Sequence, residues 1–157
     1  MMSLVQAIRT GLVQVRCAQM ESRGTGLAGI AHMLLDKEWS ACLPIHAWVI
    51  EHEEGVIVVW IPERQLAFMS RGYHPRGHPF YRRATHFSVH PEEEIGPQLR
   101  GLGITARDVR HVVLTHLHTA HAGGLRHFVV GRIWVSRGEF KRASGFAGKV
   151  QGYLPHR

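Results

Sequence analysis

The sequence predicts an α/β fold, a mixed β-sheet with covering helices. Three observations carry that prediction. Ile45–Glu51 alternates like a strand, His52–Gly55 is a polar turn, and Val56–Trp60 is a second strand-like run, which together read as a β-hairpin. His111–Leu114 is a short apolar run that stops at a segment rich in histidine and glycine, as a buried strand running into a loop does. Beyond it the pattern continues as helical turn, strand and helix, an order that lays helices over a sheet.

Taken in chain order, residues 1–43 are weakly patterned, and within them Gly11–Arg16 reads as a first strand after a ragged terminus. The first twenty residues lack acidic groups and carry Arg9 and Arg16, a charge pattern shared with transit peptides. The strand reading takes precedence. Gly24, Gly26 and Gly29 punctuate a loop that follows no predicted strand, so they make no nucleotide-binding motif. After the hairpin, residues 61–90 are rich in Pro, Gly, Arg, His and aromatic residues with little periodicity, and read as a long irregular loop. Gly96-Pro97 opens a helix that runs to Gly103, because proline fits the first helical turn. Thr105 and Asp108 have the spacing of a capping box, opening a short turn into the strand at 111–114. A strand over Arg132–Ser136 and a helix over Glu139–Ser144 follow.

The length of 157 residues suits one domain with a real core. No apolar run approaches the roughly 18 residues that a membrane span needs, so no membrane partner is expected. Cys17 and Cys42 are too few for a disulfide framework, and a reduced, cytoplasmic setting is the expectation. Nineteen Lys and Arg stand against twelve Asp and Glu, a formal charge of +7. Three of those nineteen are lysines, the arginines are scattered, and no stretch interleaves aromatic and basic residues. A nucleic-acid binder would therefore rest on charge alone, and a solvated basic surface is the reading preferred. Glu92-Glu93-Glu94 reads as a solvated charge cluster, Tyr153 as a packing aromatic, and Ser136 and Ser144 have no triad partners. Histidines such as His32, His52 and His86 read as surface or core residues.

The run Thr115-His116-Leu117-His118-Thr119-Ala120-His121-Ala122-Gly123-Gly124 is different, because it packs three imidazoles into residues 116–121. Imidazole is the commonest neutral metal ligand, and a cluster of three at a strand end suggests zinc or another borderline metal. In extended chain His116 and His118 fall on one side, since side chains alternate with period two. His121 follows where Ala122–Leu125 reads as the start of a helix, so all three rings can face one pocket.

This run resembles the signature of the metallo-β-lactamase superfamily, His-x-His-x-Asp-His followed by small residues and Gly-Gly. The order of the hairpin at 48–59 and of the lead-in from Gln98 to Leu114 resembles the lactonase-like branch, which includes N-acyl-homoserine lactonases. The resemblance covers most of residues 44–140. It implies the N-terminal half of a four-layer αββα sandwich with one or two zinc ions between its sheets. It also implies hydrolysis of a lactone or ester by a metal-activated hydroxide. Carried onto this chain, His116 and His118 match ligands of the first metal and His121 a ligand of the second.

Three departures accompany the match. Ala120 stands where the family has an aspartate that binds the second metal and helps manage the proton. Residues 122–157 contain no aspartate, and His127 and His156 sit in no recognisable family context, so the downstream ligands are missing. Trp60-Ile61-Pro62 replaces the family's Asp-Thr-Gly turn, whose aspartate supports the metal loop from behind. The last departure has a specific candidate cause. Trp is encoded only by TGG and Ile by ATH, so reading one base earlier forces an aspartate codon at this point. The same shift from Trp60 to Ala67 permits Val-Asp-Thr-Gly-Glu-Thr-Ala-Arg, with the frame restored before Gly72. The nucleotide sequence decides this, since codons incompatible with Asp-Thr-Gly in the neighbouring frame would end the idea.

The sequence thus predicts a zinc-dependent hydrolase of this fold, truncated or degenerate, and inactive or impaired as this chain. A non-catalytic metal-binding or self-associating module, most simply a homo-oligomer, is the alternative. A basic nucleic-acid-binding protein ranks third.

Overall fold

The computed structural model describes residues 4–21, 26–59, 85–117, 123–128, 131–145 and Tyr153. Six strands form one mixed sheet: β1 (Leu4–Val15), β2 (Leu43–His52), β3 (Gly55–Val59), β4 (Thr85–Ser88), β5 (Val109–Leu114) and β6 (Arg132–Val135). Their spatial order is β4-β1-β2-β3-β5-β6. β4, β1, β2 and β3 pair antiparallel with one another, while β5 runs parallel to both β3 and β6. The helices are a single turn α1 (Cys17–Met20), α2 (Gly26–Leu35), α3 (Ile95–Gly101) and α4 (Arg137–Ser144).

The expected hairpin forms as β2 and β3, with the turn at Glu53-Glu54 and the pairs His52–Gly55 to Trp48–Val59 in unbroken register. The first strand is longer than its sequence pattern suggested, because Leu4–Arg9 alternates only weakly and owes its extension to pairing with β2. A bulge between Arg9 and Gly11 bends this strand. Gly11 has φ of 135°, and a Cβ there would lie 2.6 Å from Val89 Cγ2 and 2.9 Å from the Ser88 carbonyl oxygen. Both the backbone angle and the close approach of the chain beside β4 therefore require glycine.

Two elements lie inside stretches that read as irregular. The α1–α2 pair occupies part of the weakly patterned 1–43 segment, and β4 falls at the end of the 61–90 stretch. Its partner is β1, with Leu12–Val15 opposite Ser88–Thr85, so a four-residue strand exists because a long one offers it an edge. Asp36 holds the α1–α2 unit by accepting from the Ala18 amide at 2.7 Å and the Glu38 amide at 2.9 Å. These bonds keep its carboxyl below the usual carboxylate range. Trp39 stacks on His86 at 3.9 Å and takes the Arg16 guanidinium over its ring at 3.7 Å, tying this unit to β4.

The core lies on one face of the sheet. Ala47, Val49, Val58 and Val112 are fully buried, and Ile95 and Leu99 of α3 close over them with Ala143 of α4 and Tyr153. The packing reading of Tyr153 agrees with that position. The capping box before β5 forms in part: Asp108 accepts from both the amide and the hydroxyl of Thr105, at 2.7 and 2.6 Å. Thr105 thus spends its hydroxyl on the carboxylate instead of on a backbone amide.

Among the described residues no helix covers the other face. Its rows run Val5–Ile50–Ile57–His111–Arg132 and Ala7–Trp48–Val59–Val113–Trp134 across five strands. Val5, Trp48 and Trp134 are 53%, 46% and 52% exposed there. The Trp134 indole donates to His111 Nδ1 at 2.9 Å, joining β6 to β5 on this face.

Candidate metal centre

The histidine run begins at the end of β5. Leu114 and Leu117 are both buried in the core and hold Thr115 and His116 between them. His116 is half-buried, and its Nδ1 lies 3.1 Å from the Thr115 hydroxyl, which leaves Nε2 as the nitrogen turned to other partners. Burial pushes its pKa below the usual histidine value, against the opposing pull of Glu139. A neutral imidazole, the form that ligates metals, is thereby favoured.

The parallel pairing of β5 with β6 sets what stands behind this run. Leu114 is opposite Val135, so the end of β6 and the start of α4 arrive beside Thr115–Leu117. Ser136 caps α4 by accepting from the Glu139 amide at 3.1 Å. Glu139, buried at 8% exposure, then accepts from the Leu117 amide through Oε1 at 3.2 Å. Arg142 stands 3.6 Å from the other carboxylate oxygen. The sequence pattern gave Glu139 no role beyond a helix start, since its partner is a backbone amide brought near only by strand pairing.

The far side of the run returns in a 3-10 turn over Gly123–His127. Glu94 is buried, not solvated as its Glu-Glu-Glu setting suggested, and its Oε2 lies 3.1 Å from His127 Nε2. Its neighbour Glu93 is likewise engaged, pairing with Arg9 at 3.1 Å and accepting from the His90 amide at 3.0 Å. Of the three, only Glu92 is solvated as expected. The ring of His127 fits because Gly96 stands beneath it: a Cβ there would lie 2.6 Å from His127 Nδ1.

Two buried carboxylates, Glu139 and Glu94, therefore anchor the two sides of the histidine run. His118, Ala120 and His121 lie outside the described residues, as does the Trp60-Ile61-Pro62 departure. Among the described residues, no three His, Cys, Asp or Glu side chains converge as a metal site. His116 itself fits a borderline metal: a half-buried imidazole whose pKa burial lowers, beside a hydroxyl, at a loop braced by a buried carboxylate.

Against protein-family models, residues 78–139 match the metallo-beta-lactamase superfamily, a span that holds β4, α3, β5, the histidine run and the start of α4. The segment that carries the histidine run thus matches the metallo-β-lactamase superfamily. Among solved structures it is similar to a mutant of AiiA from B. thuringiensis with N-decanoyl-L-homoserine bound at the active site. That match has a TM-score of 0.72 at 23% identity and covers 96% of this chain and 53% of the other. It is also similar to AidC, a dizinc quorum-quenching lactonase, with a TM-score of 0.56 at 14% identity, covering 89% and 44%. A probable metal-dependent hydrolase from Staphylococcus aureus gives 0.61 at 17%, covering 94% and 52%. The shared property is the fold, a six-stranded mixed sheet that corresponds to about half of a lactonase of this superfamily. The chain spans about half the length of the solved structures it matches. No curated protein matches it.

Proposed function

We propose that this chain is the metal-loop half of a zinc-dependent hydrolase of lactones or related esters, and that by itself it is catalytically impaired. The observation that carries the proposal is the histidine run at the end of β5, with His116 half-buried, its pKa held down by burial, and the loop braced by Glu139. His116, His118 and His121 are the residues assigned to metal. When bound, zinc supplies a Lewis acid and an acidified water for attack on a carbonyl. The chain's own contribution is to present His116 from the end of β5 and to hold the backbone beside it at Leu117. Ala120 explains the expected impairment, since a methyl group neither ligates a metal nor accepts a proton.

Zinc content after dialysis, measured by elemental analysis beside Ala120→Asp, tests this reading. About one zinc retained by the parent chain, with more in the variant, supports a residual site. No zinc in either removes the metal assignment. Hydrolysis of an N-acyl homoserine lactone is then compared between the two, with the variant expected to be faster.

A second reading, self-association, is favoured by the open sheet face that carries Val5, Trp48 and Trp134. The occupant we assign is a second copy of the chain, which would present the same apolar row of Ala7, Trp48, Val59, Val113 and Trp134 and a sheet of matching width. Sedimentation of the parent beside Trp48→Asp distinguishes a dimer from a monomer. A parent that is monomeric at high concentration rules the dimer out.

A further inference from the structure

We infer that Glu139 is a positioning residue of the histidine run, holding the backbone at Leu117 and through it the placement of the histidines on either side. The inference rests on the metal reading above for its purpose, though not for its geometry. Three features of the structure argue for it.

Glu139 is a buried carboxylate whose hydrogen bond crosses between elements. Its Oε1 accepts from the Leu117 amide 22 residues earlier in the chain, at 3.2 Å, so the bond is tertiary. A helix of this length gains nothing from burying that charge, which costs free energy unless it is paired or hydrogen-bonded. Arg142 is the cation within reach among the described residues, but at 3.6 Å and with its own side chain 65% exposed it compensates only partly.

The carboxylate is also held in place from its own side. Ser136 caps the helix through the Glu139 amide at 3.1 Å, and parallel pairing of β5 with β6 fixes where that helix starts. Neither end of the Leu117–Glu139 bond has room to wander, since Leu117 is itself buried in the core. Finally, Leu117 stands between His116 and His118 in the sequence, so a shift of its amide shifts the backbone that carries both.

The test compares Glu139→Ala, Glu139→Gln and Ser136→Ala in the full chain, with two readouts. Hydrogen exchange of the Leu117 amide reports the bond without any metal. Zinc affinity by competition with a chromophoric chelator reports its consequence. Glu139→Ala should speed Leu117 exchange at least tenfold while Val58 stays protected, and should weaken zinc binding about 10- to 100-fold, the usual effect of losing an outer support of a metal ligand. Glu139→Gln keeps an acceptor and should recover much of the Leu117 protection. Ser136→Ala removes the cap that seats the carboxylate but keeps its acceptor, so it should weaken zinc binding less than Glu139→Ala does, whereas a merely structural role predicts equal losses. Equal losses in those two variants, or Leu117 exchange unchanged in Glu139→Ala, would overturn the inference. If the parent chain holds no zinc, the metal reading fails by itself, and Leu117 exchange still decides whether Glu139 holds the run.

Discussion

The two faces of the sheet are built from the same strands and from similar residues, yet they behave oppositely. On the covered face Ala47, Val49, Val58 and Val112 have no exposure, closed over by α3 and α4. On the open face the adjacent residues Trp48, Val59 and Val113 share rows with Ala7 and Trp134, and both tryptophans stand about half exposed. What differs is the neighbour. Apolar surface stabilises the fold in proportion to the area removed from water, roughly 25 cal/mol per Å². A valine under Leu99 therefore contributes to stability, whereas a tryptophan facing solvent offers that contribution to whatever lands on it. That exposed surface is what the proposed self-association would cover.

The sharpest way to break this comparison is to place the same charge on each face. Val58→Asp buries a carboxylate without a partner and should cost more than about 4 kcal/mol. It should leave the chain without a cooperative urea transition. Trp48→Asp, one strand away and on the other face, should lower the unfolding free energy read from urea titration by less than about 1 kcal/mol. Equal losses at the two positions would mean that the open face is covered in solution.

A smaller effect is expected where the histidine run is anchored. Gly96→Ala places a methyl against the His127 ring, and Glu94→Ala removes the acceptor beside Nε2. Each should lower stability by about 1–3 kcal/mol. Glu94→Gln, which keeps an acceptor, should lose less, and thermal unfolding of the three variants would rank them.

The smallest effect is a pH dependence away from both faces. Asp36 and Asp108 accept backbone and hydroxyl hydrogen bonds that hold their carboxyls below the usual range. For a lowered carboxylate the contribution to stability is present above the unfolded value and is lost as pH falls through the folded one. Stability should therefore decline below about pH 4, where model carboxylates titrate. Asp36→Asn and Asp108→Asn should flatten that decline, as read from urea midpoints between pH 6 and pH 3.

The hairpin and β5 were legible because their signal is local: alternation of period two and a short apolar run both survive in one dimension. The long N-terminal extension of β1 and the four residues of β4 carry little such signal. They are strands because each found a paired edge, a contact between residues far apart in sequence. The same reason hid Glu94 and Glu139. Glu94 sits in an acidic triplet that looks solvated, and Glu139 looks like an ordinary residue in the first turn of a helix. Their partners, His127 and the Leu117 amide, lie 33 and 22 residues away in the chain.

By itself the sequence determined the fold class, the resemblance of the run around His116, His118 and His121 to the superfamily signature, and the departure at Ala120, since all of these are written in residue identity and short spacing. Tertiary structure alone decided which carboxylates stand behind the histidine run, and which face of the sheet is left open. Burial and hydrogen bonding are properties of neighbours in space, and parallel pairing of β5 with β6 brings together residues that no local pattern connects.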